Sequence, residues 1–141
     1  MNKYMPLDFA HALRRGKPLD YARDKGVPLD QCIFCAIGKK ESPATLEYED
    51  PEIVAFWDVN PKAKVHILIV PKKHIRSATD LKDEDGPLVG KMVLVAKKLA
   101  EKKGIADDGY RLVFNAGKHS GQIVDHIHLH LLGGGPMGRM A

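Results

Sequence analysis

The chain has 141 residues, enough for one compact domain with a real core. Hydrophobic residues make up 44% and charged residues 28%, the balance of an ordinary soluble domain, and no apolar run approaches the ~20 residues of a membrane helix. The net charge of +4 fits a phosphate-bearing ligand or a solvated surface equally well, and no basic stripe interleaves with aromatics to read as a nucleic-acid face.

Residues 1–30 read as an N-terminal extension. Pro-Leu-Asp occurs at Pro6-Leu7-Asp8, Pro18-Leu19-Asp20 and Pro28-Leu29-Asp30. Asp8 and Asp20 are candidate N-caps for short helices over Phe9 to Arg15 and Tyr21 to Lys25, with Gly16 and Gly26 as stops. The segment carries acids and no apolar h-region, so no secretory signal is expected. Residues 31–141 form the main domain. It opens on Cys32-Ile33-Phe34-Cys35, which holds the only two cysteines. Two are too few for a disulfide framework and fit a reducing, cytoplasmic setting.

Strand signals follow at Ala44 to Tyr48, Ile53 to Asp58 and Val65 to Val70, with Pro71 as the terminator. His66 shares a face with Leu68 in the third of these. Asp83 to Asp85 and Pro87 open a helix. Its apolar positions Leu88, Met92, Val95, Ala96, Leu99 and Ala100 recur at helical spacing until Gly104. Lys97-Lys98 and Lys102-Lys103 lie late in it, where cations complement the helix dipole. Tyr110 to Asn115 reads as a fourth strand and Val124 to Leu132 as a fifth. A polar, glycine-bearing loop, residues 116–122, joins them. The order of elements predicts an α+β domain with an antiparallel sheet and one long helix on one face. Neither a Gly-x-Gly-x-x-Gly motif nor a P-loop lysine motif is present.

The fifth strand carries His126-Ile127-His128-Leu129-His130. Side chains alternate along a strand, so three imidazoles fall on one face and Ile127, Leu129 and Leu131 on the other. Such a row suits an anion, a metal or a nucleophile, because imidazole has an unperturbed pKa of ~6.5. As a nucleophile, a neutral His128 at the centre of the row would attack phosphorus. A carbonyl at its other ring nitrogen would fix the tautomer, His130 and His66 would bond the phosphate oxygens, and the turn at Gly121 and Gln122 would supply amides.

His126 to Leu132 matches the His-x-His-x-His-x-x motif of the histidine-triad superfamily. Further blocks resemble its nucleotide-binding, or Hint, branch. They are Cys32 to Cys35, Ala55 to Asp58, His66 to His74, Tyr110 to Asn115 and Gly121-Gln122. The resemblance implies a HIT-like fold whose five-stranded antiparallel sheet joins a partner's across a homodimer. It implies hydrolysis of purine nucleoside phosphoramidates, such as adenosine monophosphoramidate, through a nucleotidyl-histidine with no catalytic cofactor. By position, His128 matches the nucleophile, and His66, His126 and His130 its supporting histidines. Asp58 matches the acid that bonds the ribose hydroxyls. Ile33, Phe34, Ile37, Phe56, Val59 and Leu68 match the apolar nucleoside walls, and Asn115, Gly121, Gln122 and Val124 the phosphate side.

Three departures stand out. Many relatives carry serine after Gln122, near the leaving group, and Ile123 has no donor there. Asp125 stands where an aromatic or apolar residue is frequent, and residues 135–141 lack the Trp-Pro-Pro-Gly ending of some members. Cys32 and Cys35 read as half of a structural zinc site, completed by His74 and His126 at positions that zinc-bearing relatives use. A redox pair and two small apolar residues are the competing readings. Dinucleoside polyphosphate hydrolysis and nucleotide binding with little turnover compete with the phosphoramidase reading.

Overall fold

The structure, a computed structural model, describes residues 32–139. The expected helices Phe9 to Arg15 and Tyr21 to Lys25 lie outside the described residues. A short helix α1 (Ile33–Gly38) precedes strands β1 (Leu46–Glu49), β2 (Ile53–Trp57) and β3 (Val65–Pro71). Two single 3-10 turns lead into the long helix α2 (Gly86–Lys102), followed by β4 (Tyr110–Phe114) and β5 (Leu129–Gly133). The strands form one antiparallel sheet in the order β1-β2-β3-β5-β4, the architecture expected from the order of sequence signals. Among the described residues no helix is long and apolar enough to cross a membrane.

Helix α2 forms where the apolar spacing placed it. Pro87 sits in its first turn, where a missing N–H costs nothing. Past Lys102 the chain turns out of the helix through Gly104, whose φ of +72° suits glycine. Its buried stripe, Met92, Val95, Ala96, Leu99 and Ala100, packs on Ile53, Ala55, Ile67, Ile69, Leu129 and Leu131. Burying a side chain of the Leu or Ile size contributes roughly 1.5–3 kcal/mol, so this layer anchors the sheet.

The opposite face carries a second layer. Phe34 and Ile37 of α1 pack on Val54, Phe56, Leu68 and Val70. Central strands β2 and β3 are therefore covered on both sides, which explains their almost unbroken apolar sequences. Pro71 is the last residue of β3, where it pairs with Ile53.

Strands β1 to β4 match their expected spans to within two residues, and the fifth differs by more. The fifth strand was expected from Val124 but starts at Leu129, which pairs with Ile69 on one side and Phe114 on the other. Strand β4 ends at Phe114, so residues 124–128 have no ladder on that side. Ile127 instead donates its amide to the carbonyl of Ile75 at 2.7 Å, and His126 donates to Val124 O at 2.9 Å. Only His130 of the three triad histidines lies within a strand.

Candidate active site

The alternation of side chains outlasts the ladder. Leu129 and Leu131 enter the helix-side core, and His128 and His130 face the other way. There they line an open cleft, mostly apolar with a few polar groups, the character of a small-molecule site. Its apolar bed is Ile33, Phe34, Ile37, Phe56 and Leu68, and its rim holds Asp58, Val59, Asn115, Gly121 and Val124. All ten are among the eleven residues that the sequence assigned to nucleotide binding.

The eleventh, Gln122, is expected to act through the backbone amides of its turn. Its side chain does not line the cleft. Its amide nitrogen donates to Arg76 O and Val124 O, and its carbonyl accepts from Gly117 N, so it braces the loop that forms the rim. Sequence reasoning left Ala44, Trp57, Asn60 and Lys62 unassigned, and all four line the cleft. Asn60 and Lys62 fall in the short connection between Asp58 and His66. Their position between two assigned residues was the available signal.

Hydrogen bonds fix the protonation of each ring. His128 Nδ1 lies 2.7 Å from His126 O, so Nδ1 carries the proton and Nε2 keeps its lone pair. Phe34 meets the His128 ring edge-on, with centroids 5.1 Å apart, and limits its rotation. His66 Nδ1 accepts from Lys62 N at 3.0 Å, which leaves the proton on Nε2. That proton is donated to His130 Nδ1 at 2.9 Å, with Asp58 Oδ2 3.4 Å away. His130 therefore carries its own proton on Nε2, a buried atom without a partner among the described residues. An unpaired buried donor is costly, and at a ligand cleft it marks a place for an acceptor.

Burial holds these rings neutral. Desolvation lowers His66 and His128 below the ordinary histidine range. Desolvation, reinforced by the neighbouring His128 and His66, brings His130 down to about 3. A neutral His128 with a free Nε2 is a competent nucleophile at pH 7. His66 sits behind His130 rather than on the cleft wall.

The ring of His126 goes elsewhere. It is fully buried, and its Nε2 donates to Pro71 O at 2.7 Å. Its Nδ1 lone pair is thereby aimed at Cys32 Sγ and Cys35 Sγ, both 3.4 Å away, and at His74 Nδ1, 3.1 Å away. Cys35 Sγ is 3.2 Å from His74 Nδ1, and one ligand atom from each of the four residues lies within 4.8 Å of the others. Ligands of tetrahedral zinc stand roughly 3.3–3.8 Å apart, given the usual Zn–N and Zn–S lengths. The donor set, the spacing and the carbonyl that fixes the His126 tautomer all fit zinc. Burial, together with the adjacent Cys35, pushes the Cys32 thiol up to about 11 in the absence of a metal, which would deprotonate it.

Known proteins resemble this chain over most of its length. A family model described as scavenger mRNA decapping enzyme C-term binding matches residues 31–139. The purine nucleoside phosphoramidase of Escherichia coli strain K12 is 46% identical over 111 residues, 79% of this chain and 93% of that protein. The crystal structure of a HIT family hydrolase from Legionella pneumophila Philadelphia 1 superposes with a TM-score of 0.76 at 50% identity, covering 77% of this chain and 96% of that one. A zinc-bound histidine triad family protein from Mycobacterium smegmatis superposes with a TM-score of 0.65 at 30% identity, covering 75% of this chain and 76% of that one.

Proposed function

We propose that this chain, which belongs to the histidine-triad family, is a purine nucleoside phosphoramidase that works through a nucleotidylated His128. The observation that carries this mechanism is the wiring of His128. With Nδ1–H held by His126 O, the Nε2 lone pair is free at the cleft. The apolar bed around Phe34, Phe56 and Leu68 takes the purine, and the Asp58 carboxylate at the rim takes the ribose hydroxyls.

His128 Nε2 attacks the α-phosphorus, forming a P–N bond to the imidazole as the bond to the amine breaks. The electron pair of the broken bond leaves with the amine. His130 Nε2–H, unpartnered in the free protein, bonds a phosphoryl oxygen as charge builds there. An anionic phosphoryl group raises the proton affinity of the His66–His130 pair, with Asp58 beside it in support. The complex therefore takes up a proton from solvent, and the departing amine carries it away through His130. Water then attacks the phosphorus, the P–N bond to His128 breaks with its electron pair returning to Nε2, one water proton passes to solvent, and the nucleoside monophosphate is released.

Cys32, Cys35, His74 and His126 would hold a structural zinc ion, which would cross-link α1 to the chain before β5. It supplies rigidity, and no chemical step runs through it. A homodimer belongs to the same reading. Strand β4 ends the sheet, and Leu112 on it, with Val93 and Leu94 on α2, exposes apolar surface.

The test is incubation with adenosine 5′-monophosphoramidate. Release of AMP by the wild type, and its loss in His128→Ala with nucleotide binding retained, supports the reading. A wild type that gains melting temperature with the nucleotide yet releases no AMP is a binding protein instead.

A further inference from the structure

A second, shallow concavity borders the cleft at Lys62. Register explains its position. His66, Leu132 and Arg111 are partners across β3, β5 and β4, and so are Leu68, His130 and Val113. Partners share a face, so Arg111 stands on the cleft side of the sheet, one row beyond His130. Lys62, Lys64 and Arg111 line this groove, and Lys62 lines the cleft as well, so the two spaces border the same lysine.

The groove gathers three cations. Among the described residues no carboxylate pairs with Lys62, Lys64 or Arg111. Lys39, Lys82, Lys98, Lys118 and Arg139 likewise have no carboxylate within 4 Å among the described residues, so what sets Lys62, Lys64 and Arg111 apart is that they line one groove together. Lys62 Nζ donates only to Asn60 O, and Arg111 donates to Gly138 O. The facing wall is the glycine-rich run from Gly133, which brings no charge of its own. At Gly134, with φ of +96°, an added Cβ would lie 2.8 Å from Lys64 Cβ, so the tail is seated directly against the lysine. Inside the cleft, Ile123 offers no polar atom to a leaving group. The positive field of Lys62 also reaches His66 and His130, where it adds to burial in disfavouring their cations.

The geometry points to an anion subsite for the leaving group: the preferred substrates are nucleoside phosphoramidates whose amine carries negative charge, held by Lys62, Lys64 and Arg111. This rests on the phosphoramidase reading, which places the α-phosphorus at His128 and the departing group beside His130. A carboxylate on the amine and a phosphate in a polyphosphate leaving group share the required chemistry. The carboxylate-bearing amine fits an enzyme that breaks P–N bonds.

The experiment compares the adenosine 5′-phosphoramidate of an amino dicarboxylic acid with that of its dimethyl ester. Wild type should favour the free acid in kcat/KM by about tenfold at low salt, and the preference should shrink as salt screens it. In the Lys62→Gln, Lys64→Gln double variant the ratio should approach one, and in Lys64→Glu it should fall below the wild-type value. Both lysines are exposed, and melting temperatures check the fold. A diadenosine polyphosphate forms a second arm. If it, rather than the free acid, outpaces the ester and loses that advantage in the double variant, the subsite stands and its anion is phosphate. Calorimetry of the same ligands on His128→Ala reads the same ratio as affinities, so the subsite is decided even if no substrate turns over. Failure of wild type to hydrolyse the ester or the acid would sink the phosphoramidase reading alone. Equal handling of acid and ester, or a preference that survives in the double variant, would overturn the subsite.

Discussion

The carbonyl of His126 accepts the Nδ1–H of His128 at 2.7 Å, while the ring of the same His126 closes a four-residue cluster with Cys32, Cys35 and His74. One residue thus serves two sites. Its side chain belongs to a metal cluster, and its backbone sets the tautomer of the ring proposed to attack phosphorus. Residues 124–128 lack a β-ladder, so the cluster and the amide of Ile127 are what hold that carbonyl in place.

Metal removal should therefore weaken both stability and turnover. Elemental analysis of protein produced with zinc should find about one ion per chain, as a closed four-ligand site requires. A chelator, or Cys35→Ser, should lower the melting temperature by several degrees and reduce kcat more than it raises KM. Metal-free protein with unchanged melting temperature and kcat would separate the cluster from the cleft.

The pH dependence follows from burial. Attack needs neutral His128, whose pKa is lowered by desolvation. The kcat/KM profile should stay level as pH falls through 6.5, the unperturbed histidine value (~6.5), and decline only below it. Stability has a related signature at His130, whose folded pKa is about 3. Above pH ~6.5 both folded and unfolded states are neutral there and nothing is lost. Below it the unfolded chain binds a proton that the fold refuses, so stability falls as pH drops toward 3. At pH 4 the loss attributable to this group is on the order of 3 kcal/mol, and His130→Asn should remove it from the pH profile. Denaturant unfolding of both proteins at pH 7 and pH 4 measures the difference.

Ile123 is 41% exposed at the cleft, so a change there leaves the core untouched. Ile123→Ser would place a hydroxyl donor beside the leaving group. It should raise kcat on adenosine 5′-monophosphoramidate by several-fold, up to about tenfold, the effect of one modest hydrogen bond made in the transition state. A lower or equal kcat at unchanged KM would show that this position does not assist departure.

Leu129 is the hinge of the site in the fold, 1% exposed between two histidines that face the cleft. Leu129→Ala should cost about 2–5 kcal/mol in denaturant unfolding, as buried truncations do. Its cleft-side neighbours His128 and His130 should lose activity with it, because the helix-side core sets where β5 begins.

Much of this was legible in the sequence because period-2 and period-3.6 patterns survive translation into packing. Helix α2 came from Met92, Val95, Ala96 and Leu99, and strand β3 from an apolar run broken only by His66. The five-stranded sheet with its single long helix followed. The start of β5 was not legible. Alternation continues through Ile127 although the ladder does not, since side-chain facing depends on an extended backbone and pairing depends on where β3 and β4 end. The bracing role of the Gln122 side chain, which serves Arg76, Val124 and Gly117, was not legible either, since a glycine-bearing turn shows where backbone amides gather and not where a side chain folds back. Resemblance assigned His128 to attack and His126 to the zinc cluster, but the free nitrogen of each ring was not legible. Residue types gave a row of imidazoles, and only carbonyl partners at Pro71 and His126 decide which nitrogen faces a metal and which faces phosphorus.

The most direct measurement is mass spectrometry of protein quenched during turnover of adenosine 5′-monophosphoramidate. Adenylate covalently attached to His128, absent from His128→Ala, is the expected result. Turnover with adenylate on another residue, or with no covalent adduct under conditions where hydrolysis of the intermediate limits the rate, would contradict nucleophilic attack by this ring.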